Sequence, residues 1–197
     1  LTNRILALAS ARANAADVRG VERLRRDVES GDLQLGQKRP DAIGGLLVSV
    51  EAHLDAARSL RLAHDRWELR KQDFRVYGNQ MTTPLSRLER LQLLLGDIKS
   101  LVGSSPFALS AIQRGADQVT KALSAITPPV EFRSVHALFL SAAHLADTAA
   151  KIRMEAALTG DLRRAWDASS AAAGSLMLEA QARNEFKTLF QRPQLTK

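Results

Sequence analysis

The residues best suited to chemistry in this 197-residue chain lie between Arg66 and Tyr77, where Arg66, Arg70, Lys71 and Arg75 interleave with Trp67, Phe74 and Tyr77. Bases contact phosphates, and aromatic faces stack on nucleobases or settle among lipid headgroups. The pattern therefore points to binding of nucleic acid or an anionic membrane surface. The same aromatics also continue an apolar stripe, and Glu68 and Asp73 dilute the charge. The favoured reading is accordingly the end of a buried helix seam with solvated bases around it. These seven residues are the candidate binding set.

Other chemistry has less to work with. The histidines are His53, His64, His136 and His144, and none has a second histidine one helical turn away. His-Glu-x-x-His and the Glu-x-x-His of di-iron bundles are both missing, and the chain has no cysteine. No metal ligand set and no cofactor are expected. His144 and Asp147 stand three apart and are spaced for one hydrogen bond. Gly-x-Ser-x-Gly, the phosphate-binding loop and the dinucleotide fingerprint are absent, so no catalytic residues are assigned and a non-enzyme is expected.

The candidate segment must be positioned by helices. From Leu46 through Val50, Leu54, Ala57, Leu60, His64, Trp67 and Phe74 to Tyr77 the apolar spacing alternates mostly between three and four residues, which predicts one long helix ending near Gly78. A first helix is expected from about Thr2 to Ser30, with Gly20 its weak point and a glycine-rich loop from Gly31 to Gly45. Thr83, Ser105 and Thr127 each precede a proline, the pattern of a capped helix start. Helices are thus expected over Pro84–Val102, with apolar residues beyond a single stripe, and over Pro106–Ile126, with a narrow seam. Two alanine-rich helices, about 130–158 and 161–190, are expected to fold back around Thr159-Gly160 as an antiparallel hairpin.

No β-sheet is expected, because Val, Ile and Thr nowhere alternate with polar residues over a strand length. The fold class is all-α, an elongated antiparallel bundle of about six helices. Residues 1–80 are read as a long helical hairpin, 81–190 as a four-helix up-down bundle, continuous with the hairpin or separate, and 191–197 as a frayed tail.

The net charge of +7 and pI near 10.4 are spread along the chain rather than concentrated, which favours solubility over phosphate recognition. No apolar run is long enough for a transmembrane segment. The start at Leu1 is that expected of a processed or cut chain. Long capped helices and an alanine-rich hairpin resemble helical modules of exported bacterial proteins and helical sensing domains outside bacterial membranes. That likeness implies a periplasmic or secreted location, with a signal or anchor removed. The expected function is a non-enzymatic protein-protein interaction or scaffold module. The alternatives are anionic binding through 66–77 and a ligand-sensing bundle with a cavity lined by polar groups such as His53, His136 or His144.

Overall fold

A computed structural model describes residues 2–195. Among them are α1 (Thr2–Asn14), α2 (Val18–Gln34), α3 (Pro40–Lys99), α4 (Pro106–Ser124), a short 3-10 turn (Val130–Phe132), α5 (Arg133–Thr159) and α6 (Leu162–Phe190), with no strand. The chain is an all-α helical bundle, and no helix of the described residues is long and apolar enough to cross a membrane. It divides into two compact units, Leu1–Lys71 with Arg192–Lys197, and Gln72–Gln191. The last two positions of the expected frayed tail lie outside the described residues. Arg192, within that tail, is tied to Glu68 at 2.7 Å.

In the first unit the single helix expected over Thr2–Ser30 is two. Ala16 adopts a left-handed φ of 53°, and the Asp17 carboxylate accepts a hydrogen bond from the Gly20 N–H at 2.9 Å, capping α2. A Cβ on Gly20 would lie 1.9 Å from Asp17 Oδ2, so the residue that looked like a weak point is the one that admits the cap. The reason for the break is burial. Ala9 and Ala13 of α1 and Val21, Leu24 and Val28 of α2 share one core with Leu46, Val50, Leu54 and Ala57 of α3. A straight helix through residue 17 would carry one of those stripes away from it. The loop before α3 is also shorter than expected, because Gly31, Gly44 and Gly45 are helical.

In the second unit α3 does not stop at Gly78. Phe74, Tyr77, Met81, Pro84, Leu88, Leu91, Leu95 and Ile98 are all buried, an unbroken alternation of three and four residues that runs through the proline. Thr83 is exposed inside a helix rather than capping one. Proline in a helix interior removes one hydrogen bond and crowds the preceding turn, at about 3 kcal/mol. The continuous seam against the other helices outweighs it. Leu93, on the same helix, is exposed.

Ser105 does cap α4, accepting from the Ala108 N–H at 3.2 Å, and Leu109, Ile112, Ala116, Val119 and Leu123 form the narrow seam, fully buried. Thr127 does not start a helix. Pro129 disfavours helical backbone at Pro128, and α5 begins only at Arg133, after the 3-10 turn. Gly160, with φ of 70°, closes α5 and turns the chain into α6. Ala142, Ala146 and Ala149 on α5 and Ala165, Ala168 and Ala172 on α6 are buried, whereas Ala180 is exposed. Ser169 Oγ donates to Lys99 O at 2.6 Å, and Gln92 Nε2 to Glu179 Oε1 at 3.0 Å, so α3 and α6 run antiparallel.

Ser105→Ala is expected to lower stability by about 1 kcal/mol, and Thr83→Ala to be neutral or slightly stabilising, both read from urea midpoints. Equal losses would mark Pro84 as a helix start.

Candidate functional site

The candidate segment is divided between the two units, Arg66 to Lys71 in one and Phe74, Arg75 and Tyr77 in the other. In the first unit Arg66 and Lys71 are exposed, and Trp67 and Arg70 half-buried. Glu68 engages two bases, Lys71 at 2.8 Å and Arg192 at 2.7 Å. Its carboxyl is lowered from the ordinary value first by the Lys71 hydrogen bond and further by Arg192. Arg192 Nη2 also donates to His64 Nε2 at 2.9 Å. A guanidinium only donates, so the His64 proton sits on Nδ1, facing Asp65 Oδ1 at 3.5 Å. The Trp67 indole nitrogen is buried without a hydrogen-bond partner. Part of the positive charge of this stretch is thus neutralised within the unit.

In the second unit Phe74 and Tyr77 are 5% and 2% exposed. Their rings pack on Phe132 with centroids 5.1 and 5.0 Å away, and Phe132 in turn meets Phe186 and Phe190. Aromatic faces enclosed in this way are not available to stack on a base. Arg75 remains exposed.

The aromatic cluster encloses a polar chain that spacing alone did not reveal. His136 Nε2–H donates to Leu123 O at 3.1 Å, leaving Nδ1 to accept the Tyr77 hydroxyl proton at 3.0 Å. Burial lowers the His136 pKa from its ordinary value, against a smaller opposing effect of the Leu123 carbonyl. Burial likewise raises the Tyr77 phenol. Both groups are held neutral, which suits a structural clamp of α3, α4 and α5.

A second polar cluster was also missed. Glu179 is 1% exposed, accepting from Arg183 Nε at 2.8 Å and from Gln92, while Arg183 Nη2 donates to Leu85 O at 2.8 Å, one residue past Pro84. The signal available in the sequence was Glu179 in a stripe otherwise of alanine and serine, with Arg183 one turn later.

Two clefts remain. One, of about 270 Å³, opens in the first unit between α1, α2 and α3 and is mainly apolar. The other, of about 470 Å³, lies between α4 and α5 and is lined by polar and charged residues, with His144 at its wall. His144 does not bond Asp147, which takes Lys151 at 2.6 Å instead. His53 is half-buried on α3, and His136 is committed to its clamp. Among the described residues no three His, Asp or Glu side chains are grouped to hold a metal ion.

The buried imidazole has a pH consequence. Above its ordinary value of 6.5, His136 is neutral whether the chain is folded or not. Below it, the unfolded chain takes up a proton that the folded chain resists, so stability falls as pH falls. The drop in thermal midpoint from about pH 7 to pH 5 is expected to be smaller in His136→Asn than in the parent chain. An unchanged slope would assign it to other groups.

Comparison with models of known families, with characterised proteins and with solved structures finds no match to this chain.

Proposed function

We propose that the chain is a non-enzymatic interaction module that seats the apolar face of a helix from another protein in the cleft of its first unit. The observation that carries this reading is the lining. Ile5 from α1, Leu24 and Val28 from α2, Leu35 at the end of α2, and Ile43 and Leu46 from α3 face one opening. Leu35, at its edge, is 71% exposed. A groove between helices with apolar walls takes the i, i+3, i+4 anchors of an amphipathic helix.

The charged residues of the lining are Asp27 and Asp32, with no base among them, on a chain whose net charge is +7. That local reversal selects a partner helix whose apolar stripe is bordered by lysine or arginine. Binding nucleic acid through 66–77 has less support, since the Phe74 and Tyr77 faces are enclosed.

The test is fluorescence anisotropy with two labelled model helices of equal length, one built from leucine and lysine and one from leucine and glutamate. The leucine-lysine helix is expected to bind saturably, the leucine-glutamate helix at least about tenfold more weakly, and Leu35→Asp to weaken the former by a similar factor. Binding unchanged by Leu35→Asp, or equal for the two helices, would count against the proposal.

A further inference from the structure

The polar cleft of the second unit stands apart from the helix groove and carries a different chemistry. Arg114, Asp117 and Thr120 of α4 face His144, Asp147 and Lys151 of α5 across a space of about 470 Å³, the size of a small-metabolite site. Its two carboxylates are already engaged. Asp117 accepts from Lys121 at 2.7 Å and Asp147 from Lys151 at 2.6 Å, each a lysine one turn further along the same helix. The Lys151 ammonium is raised from its ordinary pKa first by the hydrogen bond to Asp147 and also by the charge of Asp117.

What the cleft has in surplus is donors. Among the described residues no hydrogen bond or ion pair engages Arg114 or His144, while both acidic groups have theirs. A guanidinium offers a fork of N–H groups matched to two oxygens of a carboxylate or phosphate, and an imidazole adds a further donor. A metal cation would have to displace both lysines to find its ligands. An oxyanion need displace neither.

We propose that the α4–α5 cleft binds a small molecule bearing an oxyanion, a carboxylate or a phosphate monoester, held by Arg114 and His144. Thr120 lies on the same wall as Arg114 and supplies a hydroxyl to the remainder of the ligand. The site is independent of the helix groove, since it lies wholly within the other unit.

The experiment is an NMR titration of the whole chain with succinate, with inorganic phosphate and with glucose as a neutral control, following the His144 ring and the amides of residues 113–120 and 144–151. Saturable shifts centred on His144 are expected with at least one oxyanion and not with glucose, and the arm that saturates identifies the source. Arg114→Gln and His144→Gln are each expected to weaken binding at least about tenfold, while Lys187→Gln, on α6, leaves it unchanged. Arg114 and His144 are exposed, so both variants are expected to fold, which circular dichroism checks. Shifts that fail to saturate with either oxyanion, that glucose reproduces, or that survive Arg114→Gln would overturn the proposal.

Discussion

The second unit is assembled on the buried edge of α3, and that edge tolerates no break. From Phe74 to Ile98 each buried residue follows the last by three or four, and the position between Met81 and Leu88 in that series is Pro84. Leu91, Leu95 and Ile98 meet Leu109 and Ile112 of α4, Ala146 and Ala150 of α5, and Ala168 and Ala172 of α6 in one core. Turning the helix at Pro84 would restore a conventional proline position but rotate one half of the stripe away from its partners. Burying a large aliphatic side chain contributes on the order of 2 kcal/mol. Several such side chains together outweigh one proline in the helix interior.

The small residues and the buried polar groups of the second unit follow from this packing. Alanines let α5 and α6 approach closely, and at such separations a hydroxyl reaches a neighbouring backbone. Ser175 Oγ donates to Ala142 O at 2.8 Å, and Ser169 to Lys99 O. An apolar stripe permits sliding, whereas these directional bonds fix which turn faces which. The Tyr77–His136 pair at one level and Glu179 with Arg183 at another perform the same task with larger groups. Their burial is best understood as register, because a desolvated carboxylate and its arginine contribute little net stability over an apolar pair.

Periodicity made helix type and most buried faces legible. The α4 seam, the Ser105 cap and the Gly160 turn are local chemistry, and local chemistry reads directly from the chain. The element boundaries that depend on distant contacts did not. Asp17 and Gly20 form a cap only because the stripes of α1 and α2 share a core, and Thr83-Pro84 reads as a helix start until the stripe is followed across it. The candidate set from Arg66 to Tyr77 mixed two kinds of residue that spacing cannot separate, bases of which Arg66, Lys71 and Arg75 are exposed, and aromatics of which Phe74 and Tyr77 are core. The clefts were still less visible. Arg114 and His144 lie thirty positions apart in sequence. Their availability depends on Lys121 and Lys151 having taken the carboxylates between them.

Continuity of α3 through Pro84 is most directly tested by amide hydrogen exchange at Leu85 and Ser86, followed residue by residue by NMR. In a helix that begins at Pro84 these two amides belong to the first turn and have no backbone acceptor within the helix. In a helix that passes through it they donate to carbonyls of the preceding turn. Exchange slowed to the level of Leu88 and Leu91 is the result this architecture requires. Exchange near the rate of an unstructured chain at those two positions, with Leu91 still protected, would contradict it.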